Sequence, residues 1–172
     1  MLIAGFWIAF RNTERVEKPV NSDEPELEED VSIESMALDQ EIRNYLTEYY
    51  GPIGFDGRVY CDHEFFGSEK KDGDQTISYY LWAFCQEYYI DQEGEVKKGM
   101  QLSGPVVITG QIVDGKVVLL SHQSFEEDSE EVIEAFPQIY HYRLAENEER
   151  EARLTRAIQN RADRDLLPGL GK

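Results

Sequence analysis

A chain of 172 residues can bury one substantial hydrophobic core but not two ordinary ones. Its 17 Lys and Arg against 35 Asp and Glu leave a net charge of −18, which repels polyphosphate and argues against sequence-independent nucleic-acid binding. At 41% hydrophobic and 12% aromatic residues the chain is not wholly disordered, and its two cysteines, Cys61 and Cys85, allow at most one bridge and no all-Cys zinc site.

In chain order, residues 1–10 form an apolar run from Met1 to Phe10 that stops at Arg11. The run is too short to cross a bilayer, which takes about 20 apolar residues as helix. It has neither the basic start of a signal peptide nor a lipid-modifiable cysteine. Three readings fit it: a membrane anchor whose first part is missing, a short interfacial or degenerate export segment, and a first strand or helix packed on the core. The anchor leads, because residues 11–31 follow as an acidic flexible linker holding Pro19, Pro25 and the carboxylates between Asp23 and Asp30, with almost nothing apolar to bury. Apolar tip, charged spacer and compact domain are the parts of a tethered module.

Residues 32–167 read as one α+β domain, with 168–172 as a tail. Ile33, Met36, Ala37, Gln40, Ile42, Tyr45, Leu46 and Tyr49 recur near a 3.6-residue period after Ser32, which predicts a helix stopped by Gly51-Pro52. Arg58–Phe66 and Thr76–Ile90 are rich in β-branched and aromatic residues and flank the polar turn Lys70–Asp74, which predicts a hairpin. Centred on Gly73, that hairpin sets Cys61 opposite Cys85 on the face of His63 and Ala83, and a one-residue slip would part the thiols. A weaker segment, Val96–Leu102, either starts the third strand or adds a short one. Pro105–Val113 and Lys116–His122 then meet across Asp114-Gly115, a strong hairpin signal. Asp128 or Ser129 caps a short helix containing Val132, Ile133, Ala135 and Phe136 and ended by Pro137. A longer charged helix from Leu144 to Leu167, with Glu149 and Arg153 at i,i+4 and one thin apolar stripe, is expected to pack only partly on the sheet. Helix, about four antiparallel strands and terminal helices make an α+β fold of cystatin-like or nuclear-transport-factor-like order, the first helix covering one face of a curved sheet.

The chemistry-bearing residues are sparse. His63, His122 and His141 have no metal-ligand spacing; His63 and His122 read as half-buried, hydrogen-bonded strand residues and His141 as a helix-surface residue. No phosphate loop and no nucleophile elbow is present, so neither a cofactor nor a metal is implied. Asp62 and Glu64 alternate as on the wet face of a strand, and the acidic run from Glu126 to Glu131 reads as a solvated helix start. The densest feature is aromatic: Tyr80, Trp82, Phe84 and Tyr88 share one face of a strand whose other face, with Tyr79, Leu81, Ala83 and Tyr89, is apolar too. Such a strand is central or covered twice. Ordinary core explains it, and a groove on the concave face, where a hydroxyl or indole meets a ligand or a partner's peptide, is the functional reading.

These residues also carry a resemblance. His63-Glu-Phe-Phe-Gly67, Tyr80-Leu-Trp-Ala-Phe-Cys-Gln-Glu-Tyr-Tyr89, Pro105-Val-Val-Ile-Thr109 and Phe136-Pro137, in that order across residues 33–167, resemble a family of uncharacterised extracytoplasmic domains of Gram-positive bacteria, found as lipoproteins and as membrane-anchored proteins. The family's Pro-x-Asp-Gly turn after the last strand has no counterpart in Ser124–Asp128. The resemblance implies a small α+β fold on the extracytoplasmic face of the cell membrane, with no agreed activity and no catalytic residue to carry over. The resulting expectation is a tethered, non-enzymatic interaction or sensory domain that contacts a protein or small-molecule ligand, no nucleic acid, and the membrane through its N-terminal segment. Its binding residues would be Tyr80, Trp82, Glu87, Tyr88 and His63, with a disulfide available to Cys61 and Cys85. The alternatives are a small enzyme using Asp62, His63, Glu64 or Glu87 as general base and a cytosolic scaffold.

Overall fold

The computed structural model describes residues 33–51, 54–70, 75–145 and 148–166. The apolar segment 1–10, the linker 11–31, residues 71–74 of the first hairpin turn and the tail 168–172 lie outside the described residues. Helix α1 (Ile33–Tyr49) leads into four strands, β1 (Arg58–Lys70), β2 (Thr76–Ile90), β3 (Val96–Val113) and β4 (Lys116–Ser124). They form one antiparallel sheet in the order β1-β2-β3-β4. Helices α2 (Glu130–Ala135), α3 (His141–Leu144) and α4 (Glu148–Leu166) follow, with a 3-10 turn at Gln138–Tyr140. The α+β architecture expected from the sequence is the one observed. Among the described residues no helix is long and apolar enough to cross a membrane.

The first hairpin has the expected register: Cys61 pairs with Cys85 and His63 with Ala83, up to a β-bulge between Phe65 and Gly67. A Cβ at Gly67 would meet the Tyr140 hydroxyl, so a larger residue there would displace that side chain. The second hairpin turns on Asp114 and Gly115, whose φ values of 52° and 75° suit a two-residue turn that needs positive φ at both positions. Val96–Val113 is one continuous strand, so the weak segment starts the third strand rather than adding a fifth. Pro105 fits inside it because its carbonyl accepts from Phe125 N–H at 3.0 Å. Its missing N–H therefore faces the place where β4 ends.

The sheet is covered on both faces. On one, Ile42 and Leu46 of α1 pack against Val59, Cys61, Tyr79, Leu81, Ala83, Cys85, Val106 and Ile108. On the other, Val132, Phe136, Leu144, Leu154, Ile158 and Ala162 pack on Tyr60, Phe66, Tyr80, Trp82, Phe84 and Tyr88. The long C-terminal helix begins at Glu148 rather than Leu144 and packs on the sheet through the thin stripe of Leu154, Ile158 and Ala162, the rest of its surface being half-buried or exposed apart from Arg150. Arg150 extends that stripe by one turn. Its side chain is 1% exposed and its guanidinium lies 4.4 Å from the Trp82 ring and 5.3 Å from the Phe66 ring.

Candidate functional site

The five residues singled out as binding candidates are enclosed rather than displayed. Trp82 and Tyr88 are 1% exposed and Tyr80 is 6% exposed, under the C-terminal helices. Their polar tips are bonded inside: Trp82 Nε1 donates to Ser103 Oγ at 2.9 Å, Tyr88 Oη to Gln159 Oε1 at 3.0 Å and Tyr80 Oη to Glu69 Oε2 at 3.2 Å. Burial raises the Tyr88 phenol to about 12 and raises that of Tyr80. Helices α2, α3 and α4 thus cover Tyr80 and Trp82, while Tyr88 also borders a cavity of about 480 Å³ with Val96, Lys98, Gln159 and Asp163. Glu87 is fully buried beside a register shift between Gln86 and Tyr88 and accepts from the backbone N–H groups of Phe55, Gly57 and Met100 at 3.0, 3.0 and 3.4 Å. Burial raises its pKa, but these donors outweigh burial and hold the carboxyl below its ordinary range. It ties the segment before β1 to the β2–β3 pair.

His63 sits on the α1 face with its Nε2 3.3 Å from Asp39 Oδ1, and its Nδ1 is buried without a partner. Burial lowers its pKa, against the opposing pull of Asp39 and Asp62. A cavity of about 300 Å³ adjoins it, lined by Met36, Leu38, Asp39, Ile42 and Phe65. Asp62 and Glu64 are not on a wet face: both side chains are 13% exposed, because arginines from the flanking helices cover them. Asp62 meets Arg43 at 3.4 Å and Arg161 at 3.2 Å, while Glu64 meets Arg143 at 2.8 Å, Arg150 at 3.5 Å and Arg153. Arg153 thus turns to Glu64 and away from the i,i+4 pair with Glu149 that its spacing offered. These carboxylates are consumed by structural ion pairs.

Another site lies where the C-terminal end of α1 meets the middle of β3 and the end of β4. A cleft of about 310 Å³ is lined by Tyr50, Ala83, Cys85, Leu102 to Val106 and Ser124 to Glu126. No family model, curated protein or solved structure matches the chain. The site is accordingly read from its own geometry. Beneath it Cys61 and Cys85 are joined in a disulfide between directly opposed residues of β1 and β2. Beside it Tyr45 and Tyr49 of α1, with Tyr50 just after the helix, surround His122 of β4. Tyr45 Oη lies 3.0 Å from His122 Nδ1, Tyr49 stands edge-on to the imidazole and is 62% exposed, and Tyr50 Oη lies 2.6 Å from Ser124 Oγ. Burial raises the Tyr45 and Tyr50 phenols and lowers the His122 imidazole. The lining offers apolar surface, hydroxyls and peptide groups, and its one carboxylate, Glu126, is exposed at the rim. Such a cleft holds an apolar or aromatic group and orients it by hydrogen bonds. Tyr49 belongs to the helical period of the first helix, and no local pattern singles out Tyr50 or joins either residue to His122.

Proposed function

We propose that this is a membrane-tethered extracytoplasmic domain that works by binding, and that the cleft between α1 and β4 is where it binds. The observation that carries the reading is the cleft's composition: apolar walls and neutral hydroxyls, with no buried acid or base in the lining. Two further points support the location. A buried disulfide persists in oxidising compartments and is uncommon in the cytosol. The apolar residues 1–10 and the acidic spacer support a membrane tether, and the family resemblance supports a domain on the extracytoplasmic face. The test has two parts. On intact cells expressing the gene with its upstream sequence, added protease should cut between residues 11 and 31 and release a folded core; protection until lysis would refute the location. N-phenyl-1-naphthylamine, a neutral aromatic probe, should bind the purified chain with enhanced fluorescence and lose that site when Gly104→Trp blocks the cleft.

One observation favours a second reading, a small enzyme with His63 as general base: its contact with Asp39 beside a cavity. Against it, the His63 side chain is 1% exposed, so neither ring nitrogen meets a substrate in this conformation. Turnover of any small molecule that His63→Ala abolishes without unfolding the chain would establish it.

A further inference from the structure

We propose that the outer edge of β4 takes up an extended peptide segment of a partner protein as a fifth strand. An apolar or aromatic side chain of that segment would enter the cleft, and Lys or Arg beside it would face the acidic run that follows β4. The proposal rests on the cleft being a binding site and deepens that reading by naming the ligand's chemistry.

The two edges of the sheet are treated oppositely. On β1 three backbone groups are held by side chains: Arg161 donates to the Cys61 carbonyl at 2.6 Å, Asp62 accepts from the His63 N–H at 3.0 Å, and Arg143 donates to the Phe66 carbonyl at 3.3 Å. On β4, among the described residues, no side chain bonds a backbone group. Phe125 N–H is turned inward to Pro105, so by the alternation of an antiparallel ladder the N–H and C=O of Ser124 and His122 point outward. An edge with free donors and acceptors is a template for another strand. Side chains of an added strand on the α1 face would lie against exposed Tyr49 and half-buried His122 and reach the cleft, since Ser124 both ends β4 and lines the cleft.

Charge selects the kind of segment. Lys116–Ser124 contains no carboxylate, whereas Glu126, Asp128, Glu130 and Glu131 stand exposed just beyond it, and none of the four is in an ion pair among the described residues. A second copy of this chain, at −18, is disfavoured as the occupant, and a basic-apolar segment is favoured.

The probe is a dye-labelled nonapeptide, Lys-Lys-Phe-Thr-Val-Thr-Val-Ser-Gly, added to the full 172-residue chain. It should bind, displace N-phenyl-1-naphthylamine, and slow amide exchange at His122 and Ser124 by about tenfold at saturation. Glu126→Lys with Asp128→Lys should weaken it about fivefold, an effect that added salt removes. Ser124→Pro, which deletes one outward donor, should abolish binding; because exchange on the unaltered chain decides the matter, a misfolded variant does not obscure it. If the naphthylamine binds and the peptide does not, strand addition is refuted and the cleft reading stands. Peptide binding without slowed exchange at His122 and Ser124 also refutes it, and equal binding of the same peptide with Glu for Lys refutes the charge selection. If neither probe binds, the cleft reading itself falls.

Discussion

Removing the Cys61–Cys85 bridge should lower stability without changing the fold. The bonded residues are 24 apart in sequence, and the chain-entropy relation for a loop of that length gives about 3.4 kcal/mol at 25 °C. Because Cys61 already pairs with Cys85 across β1 and β2, the native ladder does not depend on the covalent bond, and the gain comes from restricting the unfolded chain. For a folded part of roughly 130 residues, the usual unfolding entropy converts this into a loss of about 12 °C in the melting midpoint. Both sulfur-bearing residues are buried, at 1% and 2% exposure, so Cys61→Ala/Cys85→Ala is preferable to serine, which would bury an unpaired hydroxyl. The assay is calorimetry of the oxidised chain, the reduced chain and the double variant, with thiol labelling in denaturant to show which form is present. Reduced and variant proteins should melt together, well below the oxidised one. A shift under about 3 °C between bridged and unbridged forms would refute the reasoning, since it would mean that the unfolded chain gains almost no freedom when the bond is cut.

Three further perturbations test the ion pairs and buried polar groups. Glu64→Gln takes the shared carboxylate from Arg143, Arg150 and Arg153 and should cost about 3 kcal/mol in urea unfolding, part of which Arg150→Met in the same chain restores by removing the buried charge. Burial holds His63 below its ordinary 6.5, so the unfolded chain binds the extra proton first: this contribution is fully present above pH 6.5 and is lost on acidification, at up to about 1.4 kcal/mol per pH unit until the folded imidazole, facing Asp39, Asp62, Arg43 and Arg161, itself protonates. His63→Phe should accordingly flatten the stability difference between pH 7.5 and pH 5.5 by about 1 kcal/mol, and an unchanged difference would exclude His63 as its source. Glu87→Gln turns an amide donor toward backbone N–H groups and should cost about 2 kcal/mol, with faster amide exchange at Phe55 and Gly57.

What the sequence disclosed and what it withheld follow from the range over which each signal acts. Helix α1, the Asp114-Gly115 turn and the Ser129 cap rest on neighbours within a few residues, and they appear where local pattern sets them. The Cys61 and Cys85 register followed from turn symmetry, and the bulge at Phe65 and Gly67 did not, because it answers to Tyr140 far along the chain. Val96–Leu102 read weakly because that end of β3 is largely exposed and so lacks apolar alternation. The pattern of β2 required cover on both faces without saying what supplies it. The second cover includes Arg150, and arginine reads as solvent-facing although its stem and guanidinium can lie flat on rings. The cluster of Tyr45, Tyr49 and Tyr50 around His122 joins residues more than 70 positions apart, which no local period encodes.

The unequal edges of the sheet also bear on solubility. A strand-pairing module with two reactive edges can add units indefinitely, whereas one with a single reactive edge is, in the polymer chemist's sense, monofunctional: it caps a chain but cannot extend it. With Arg161, Asp62 and Arg143 occupying three backbone groups of β1, that edge is the poorer template and pairing is directed to β4. Arg143 of α3 and Arg161 of α4, by occupying carbonyls of β1, therefore act against growth through that edge.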